Sequence, residues 1–194
     1  TVDTSAFDPK LFNEEQQITV TYTHAGRSAS KTFPVIVYGI PVLSVDNGGY
    51  DGNWTADRVV FNFESTNKLD GVKYYFKREN ATNWTVLYSN YYVVNTNSDD
   101  VYYFKAVNSE GIESEISQGY RVKYDNIKPK FTLEQSVTTL TSQSYTVNSK
   151  NITVGESGIK AITLNGEDIT GQTEFTVPEN GTYTVVITAN TGLS

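Results

Sequence analysis

Apolar and polar residues alternate with a period of two through most of this chain, and that pattern constrains its fold more than any other feature. Residues 18–23 read Ile-Thr-Val-Thr-Tyr-Thr, a turn follows at 25–27, and apolar residues alternate again over 33–37. Two such runs around a short turn that contains glycine predict a β-hairpin. Pro34 lies inside the second run and has no backbone N–H to donate, so that strand is expected at a sheet edge or at a bulge.

The alternation continues beyond the hairpin in shorter runs that turn-rich segments separate. The runs fall at residues 59–63, 72–76, 84–88, 102–106 and 120–124, and then at 152–154, 162–164, 175–177 and 183–187. Asn165-Gly166 predicts a two-residue type I′ turn, because both positions need positive φ, and a second turn is predicted at 178–181. An offset of 81 residues places the run at 102–106 on the run at 183–187. Two similar units of this length predict tandem modules.

Composition agrees with β structure. Charged residues make up 19% of the chain and aromatic residues 13%. Long runs with helical spacing are missing, whereas threonine, tyrosine and other residues that suit a pleated, half-buried surface are frequent. An all-β fold is therefore predicted.

Net charge and residue usage exclude several classes of partner. The net charge is −7 without charge blocks, so the chain lacks the positive field that nucleic acid or anionic lipid requires. No stretch reaches the roughly 18 apolar residues of a membrane span. Cysteine is absent, which fits a cytosolic or a bacterial extracellular protein, and the Thr-, Ser- and Asn-rich composition favours the second. We expect a monomer. Methionine is absent too, so we expect a processed form or a fragment whose export and anchoring signals lie outside this sequence.

Residues 1–38 resemble a bacterial Ig-like repeat of Gram-positive surface proteins. The resemblance rests on Val-Asp-Thr-Ser-Ala-Phe-Asp-Pro at 2–9 and on the runs at 18–22 and 33–37. Repeats of that family have Gly-x-Tyr just before the first of these strands, where this chain has Gln-Gln-Ile at 16–18. The unit is short, so we expect its N-terminal half to lie outside the sequence.

The remaining two units resemble another class of bacterial Ig-like module. That class has a small-residue–Gly–hydrophobic–Lys step, which matches residues 157–160. Its Tyr strand matches Tyr183, and its Asn/Asp–Gly turn matches 190–192. The segment 125–129 is similar to that class's Asp-Lys-x-x-Pro linker. The resemblance implies tandem immunoglobulin-like β-sandwich modules. We expect a partial module at 1–39, a module at 40–126, and a module at 127–194 that lacks its last strand.

Relatives of these modules occur as adhesin stalks and as spacers beside secreted carbohydrate-active enzymes. The resemblance therefore implies non-catalytic stalk or adhesion modules of a bacterial surface protein. Such a protein is extracellular, either secreted or attached to the cell wall. The alternative is a carbohydrate-binding accessory module of a secreted enzyme or adhesin.

One face of the second unit is a candidate ligand site. In a sandwich of this kind the third and sixth strands are neighbours, so their outward residues lie side by side. The candidate binding residues are Tyr75, Tyr103, Lys73, Lys77 and Lys105, with Arg121 and Lys123 extending the same face. Aromatic rings stack on sugars and cations pair with carboxylates, so the predicted ligand is a glycan or a host or matrix protein. The alternative is ordinary cross-strand Tyr–Lys pairing on a solvated sheet.

Other segments offer fewer groups for chemistry. Tyr91 and Tyr92 suggest an additional loop-borne binding site, and residues 46–53 fit either a Ca²⁺ loop or plain turn chemistry. Catalysis is not expected, because His24 is the only histidine and adjacent carboxylates such as Asp99-Asp100 point to opposite faces of a strand. We predict no catalytic residue, no metal site and no cofactor, and we expect the lysines to point outward rather than be buried.

Overall fold

The computed structural model describes residues 1–65, 71–132, 152–172 and 181–194. The regular structure in these ranges consists of β-strands in four antiparallel sheets, so the all-β prediction is confirmed. None of the described residues belongs to a helix long and apolar enough to cross a membrane. The strands are β1 Val2–Asp3, β2 Glu15–His24, β3 Arg27–Ile36, β4 Leu43–Asp46, β5 Val59–Ser65, β6 Lys73–Arg78, β7 Thr85–Leu87, β8 Tyr91–Val94, β9 Ser98–Val107, β10 Tyr120–Tyr124, β11 Ile159–Leu164, β12 Glu167–Asp168 and β13 Val185–Ala189.

The N-terminal sheet has the strand order β1-β2-β3. Ala25 and Gly26 connect β2 to β3 with φ angles of 48° and 73°, the left-handed values of a tight two-residue hairpin turn. The predicted hairpin is therefore confirmed. Pro34 lies on β3, opposite Gln17 of β2. Strand β3 is an edge strand of this sheet, where the missing N–H of a proline costs least.

The two faces of this N-terminal sheet differ in chemistry. One face has three cross-strand hydroxyl pairs with oxygens 2.7–3.0 Å apart, namely Thr19–Thr32, Thr21–Ser30 and Thr23–Ser28. The other face bears the apolar residues, of which Tyr22 is 69% and Val2 62% exposed. Gln16 is the only buried residue of these strands. The sheet thus depends on ladder and cross-strand hydrogen bonds and not on a core of its own.

The middle of the chain forms two sheets that pack face to face as a β-sandwich. Their strand orders are β4-β5-β8 and β10-β9-β6-β7, so the third and sixth strands of this unit, β6 and β9, are neighbours as predicted. The Phe104 ring centroid lies 4.9 Å from those of Phe61 and Phe63 on the opposite sheet. Burying each such ring contributes about 1.5–3 kcal/mol. The buried residues of this core are Val59, Phe61, Phe63, Val94, Tyr102, Phe104, Val122 and Tyr124.

Two local predictions in this sandwich need correction. The alternating run at 84–88 forms only the three-residue strand β7, in which Val86 lies opposite Tyr75 while Leu87 packs against the core. Tyr91 and Tyr92 lie in strand β8, and the Tyr92 ring stacks on Phe76 with centroids 4.1 Å apart. The predicted loop-borne site is therefore wrong, because Tyr92 is a packing residue of a strand.

An irregular segment at 112–118 forms hydrogen bonds with the second half of β9. Ser114 and Ser117 donate their backbone N–H groups to the carbonyls of Ala106 and Phe104, at 2.8 and 2.9 Å. Their hydroxyl oxygens in turn accept the N–H groups of those same two residues, at 2.9 and 3.0 Å. Serine side chains thus replace the carbonyls that a regular strand would supply. This arrangement places Glu113 opposite Val107, the last residue of β9.

The C-terminal strands form a sheet of order β12-β11-β13. Asn165 and Gly166 connect β11 to β12 with φ angles of 47° and 87°, so the predicted two-residue turn is confirmed. Ile162 and Ile187 face each other across β11 and β13 and are buried. The predicted run at 175–177 and most of the predicted turn at 178–181 lie outside the described residues.

The turns that follow β9 and β13 have the same hydrogen-bond geometry. In the first, Asn108 N donates to Ile112 O at 3.0 Å, and in the second Ala189 N donates to Leu193 O at 2.8 Å. The residue before each acceptor is a glycine, with φ of 80° and 85°. The two turns lie 81 residues apart, the offset at which the sequence pattern matches.

Candidate functional site

The outer face of the four-stranded sheet carries all five predicted binding residues. Tyr75 lies opposite Lys105, and Lys77 lies opposite Tyr103. Directly paired residues of an antiparallel ladder share a face. Lys73 shares this face because it is two residues before Tyr75 on β6. The intervening residues of β6 point the other way, into the core.

Four of the five predicted binding residues form one group with Trp84, because two lysine ammonium groups each lie beside the tryptophan ring and beside one tyrosine ring. The Lys77 ammonium lies 5.3 Å from the Trp84 ring centroid and 5.9 Å from that of Tyr103. The Lys105 ammonium lies 4.9 Å from the Trp84 centroid and 5.8 Å from that of Tyr75. We call the residues joined by these contacts the aromatic–lysine cluster. They are Tyr75, Lys77, Trp84, Tyr103 and Lys105. Each such cation–π contact stabilises by about 0.5–1 kcal/mol at exposed positions and more when desolvated.

Lys105 is buried, contrary to the expectation that the lysines point freely into solvent. It lies on the outer face, yet only 8% of it is exposed. Its ammonium donates to Glu113 Oε1 at 2.5 Å, whereas the Glu113 side chain is 55% exposed. The rings of Trp84 and Tyr75 lie beside its ammonium. The strand alternation correctly assigned Lys105 to the outer face of the sheet. It did not predict that Lys105 is buried, because the groups that cover it come from other segments.

Tyr103 packs against a glycine of the neighbouring segment. A Cβ at Gly119 would lie 3.2 Å from two ring carbons of Tyr103 and 2.8 Å from Val101 Cγ1. Only a residue without a side chain lets the backbone pass so close. Tyr103 is therefore half-buried, and with the Lys77 ammonium also near its ring it is no longer the bare platform expected for sugar stacking.

The basic extension of this face is largely neutralised. Arg121 donates to Asp99 through Nε and Nη2, at 2.7 and 2.8 Å. The hydrogen bond from Arg121 lowers the pKa of Asp99 below its usual value, and the same carboxylate raises the pKa of Arg121. Lys123 lies opposite Asp99 in the ladder. Lys77, by contrast, has no carboxylate oxygen within salt-bridge distance among the described residues.

Trp84 and Glu113 are the members of this site that the sequence pattern does not identify. Trp84 directly precedes β7, whose pairing with β6 brings it beside Lys77. Glu113 belongs to the irregular segment next to β9. The one sequence signal for Trp84 is that it alternates with Val86, which places both on the face of Tyr75.

A second polar centre lies where β10 ends. The carboxylate of Asp125 is fully buried and accepts two backbone N–H groups, from Ile127 at 3.0 Å and from Ser157 at 2.9 Å. Asp125 N also donates to Thr55 O at 3.0 Å. Burial acts to raise the pKa of Asp125, but the hydrogen bonds from Ser157 and Ile127 outweigh it, so this pKa lies below its ordinary value. The residue links the sandwich to the C-terminal segment.

Further polar contacts hold the segments on either side of the sandwich. Asn190 Nδ2 donates to Ser157 O at 2.5 Å, so the residue whose N–H Asp125 accepts is also held through its carbonyl. At the other boundary the buried Asn108 donates from Nδ2 to Gly39 O at 3.2 Å, across 69 residues of sequence. Each boundary that the sequence predicts is therefore crossed by a hydrogen bond in which a buried side chain takes part, Asn108 as donor and Asp125 as acceptor.

No protein-family model matches the chain, and no curated protein matches it either.

Proposed function

We propose that this chain is a series of immunoglobulin-like modules that act as a non-catalytic spacer in an extracellular bacterial protein, either secreted or attached to the cell wall. The observation that carries the proposal is the buried Asp125 carboxylate, which lies at the end of the middle module and accepts two backbone N–H groups of the next one. A spacer must hold successive modules in a fixed relation. A flexible linker has no use for a buried charge, which costs free energy unless it is fully hydrogen-bonded.

The division into modules rests on two further features. The middle unit has seven strands in two sheets, β4-β5-β8 and β10-β9-β6-β7, and this arrangement supports the immunoglobulin-like assignment. The matching turns after β9 and β13 support a second module of the same kind in the C-terminal unit. Cysteine is absent, so the modules depend on aromatic packing and hydrogen bonds instead of a disulfide across the sheets.

Pulling single molecules from both ends tests the spacer proposal. The middle module should unfold in one discrete step, because its aromatic core is shared by both sheets. Releasing its 87 or so residues should lengthen the chain by roughly 300 Å, at about 3.3–3.6 Å per residue. Smooth extension without such a step would contradict a load-bearing module.

A carbohydrate-binding accessory module is the second candidate function, and the aromatic–lysine cluster favours it. Lys77 provides a cation without a carboxylate partner among the described residues, beside the rings of Trp84 and Tyr103. Ammonium groups already contact these rings, so the ligand that fits is an acidic glycan or a carboxylate-bearing host or matrix protein. A neutral sugar stacked on bare rings fits less well.

An array of neutral and acidic glycans, screened with the whole chain, tests this second candidate. Binding restricted to acidic glycans and lost in a Tyr75→Ala/Tyr103→Ala variant would support it. Equal binding by both proteins, or binding to neutral glycans alone, would count against the cluster as the site.

A further inference from the structure

A cleft opens beside the aromatic–lysine cluster, where β6 begins and β7 turns into β8. Its volume is about 340 Å³, which falls at the small end of the range for ligand pockets. The walls combine apolar, aromatic and polar side chains. They are formed by Val72, Lys73, Tyr74, Leu87, Tyr88, Ser89 and Asn90.

Tyr88 stands at the rim of this cleft with almost its whole surface in solvent. It is 97% exposed, more than any other large hydrophobic residue of the described chain, and Tyr22 follows at 69%. Water-exposed aromatic rings are amphipathic contact surfaces that lose little conformational entropy when a partner covers them. A ring so completely exposed contributes almost nothing to the packing of the sandwich.

Two polar residues of the cleft, Ser89 and Asn90, directly follow Tyr88 in the turn between β7 and β8. The Ser89 hydroxyl donates to Tyr91 O at 2.8 Å, which orders the turn between β7 and β8. Asn90 accepts Phe63 N through its backbone carbonyl at 2.8 Å. The Asn90 side chain is not used in that bond and can both donate and accept. The turn is therefore held by the Ser89 hydroxyl and the Asn90 carbonyl, while the Asn90 amide side chain remains available to a ligand.

We propose that this cleft is a binding subsite for a single uncharged pyranose ring, with Tyr88 as the stacking surface and Asn90 and Lys73 as the hydrogen-bonding groups. Such a sugar has an apolar C–H face and a rim of hydroxyls, which matches an exposed ring beside donors and an acceptor. The site goes beyond the spacer function and does not depend on it.

Charge distinguishes this subsite from the neighbouring cluster. The residues that line the cleft include one charged side chain, Lys73, which can donate to sugar hydroxyls, and no group of like charges that would select an ionic ligand. The aromatic–lysine cluster instead suits an acidic ligand, because Lys77 has no carboxylate partner in the part of the chain that the structure describes.

Saturation-transfer NMR on the whole chain tests the proposal. The probes are the methyl pyranosides of glucose, galactose, mannose and N-acetylglucosamine, together with methyl glucuronide. At least one neutral glycoside should bind with a Kd on the order of 1 mM. Tyr88→Ala should weaken that binding about tenfold, whereas Tyr88→Phe should retain it, because the ring is the contact surface. Tyr22→Ala is the matched control, since it removes another highly exposed tyrosine.

Three results would overturn the subsite. They are the absence of transfer to every neutral glycoside, unchanged binding by Tyr88→Ala, and an equal loss in Tyr22→Ala. Binding that survives Tyr88→Ala but is lost in Tyr75→Ala/Tyr103→Ala would move the site to the aromatic–lysine cluster. None of these results bears on the pulling experiment, so the spacer proposal stands or fails separately.

Discussion

The buried Asp125 carboxylate accepts the backbone N–H of Ser157 at 2.9 Å, although 32 residues separate the two in sequence. A second oxygen of the same carboxylate accepts Ile127 N. Hydrogen bonds to a charged acceptor contribute about 1.5–3 kcal/mol each, and a buried donor that loses its acceptor costs a similar amount. This one side chain is therefore the main polar link between the sandwich and the C-terminal unit.

Replacing Asp125 with Ala should strongly weaken that link. The buried Ser157 N–H and the part-buried Ile127 N–H lose their acceptor, so we expect the C-terminal unit to be destabilised by about 2–4 kcal/mol. Urea unfolding followed by amide NMR signals of β11 and β13 measures the change. Asp57→Ala is the control, because Asp57 is an exposed aspartate of the same module. Equal midpoints for the two variants would contradict the role of Asp125.

Gly155→Ala should disrupt the same contact from the other side. A Cβ at Gly155 would overlap both carboxylate oxygens of Asp125, so either Asp125 or the 155–157 backbone must move. We expect the amide shift of Ser157 to change and thermal stability to fall. Gly181→Ala is the matched control, since its Cβ would meet only Tyr183 at an ordinary 3.4 Å. A parent-like Ser157 signal in Gly155→Ala would show that the contact does not form.

Acid should release the junction. The pKa of Asp125 is lower in the folded chain than its ordinary value of 3.8. A carboxylate with a depressed pKa contributes stability that is complete above the unfolded-state pKa and is lost as pH falls through the folded-state pKa. The stability difference between the parent and Asp125→Asn should therefore be constant from neutral pH down to about 5 and shrink below about 4. A difference that grows on acidification would refute this assignment.

The Lys105–Glu113 pair should respond unequally to removal of its two charges. Glu113→Gln leaves a buried ammonium without its carboxylate, so we expect destabilisation of roughly 1 kcal/mol, limited by the exposure of Glu113. Lys105→Met keeps an unbranched apolar stem beneath Trp84 and removes the desolvated charge, so we expect a smaller loss. Urea midpoints compare the two variants. A larger loss in Lys105→Met would mean that the cation–π contacts dominate over the ion pair.

Period-two alternation was sufficient to predict the elements whose pattern is local. The hairpin of β2 and β3, the inward faces of β5, β6 and β9, and the Asn165-Gly166 turn follow from residues close together in sequence. Strand β8 was not predicted, because Tyr91 to Val94 form an unbroken apolar run instead of an alternating one. Strand β4 is only four residues long and borders a turn-rich segment.

Long-range contacts account for what the sequence did not predict at the candidate sites. The sequence places Asp125 at the first position of a predicted linker. Its structural role depends on the hydrogen bond from Ser157, which is distant in sequence. Lys105 was correctly assigned to its face of β9, but its burial depends on Trp84 and Glu113, which belong to other segments. Such contacts depend on the packing of separate elements and leave no periodic signal in one sequence.

The width of a spin-label distance distribution across the Asp125 junction tests the spacer account most directly. The chain has no cysteine, so labels at Thr82→Cys and Glu167→Cys, both exposed positions, are unique. The account predicts one narrow distribution for the otherwise unchanged chain and a broad one when Asp125→Ala is added. A broad distribution in both proteins, or an equally narrow one in both, would contradict a rigid spacer held by Asp125.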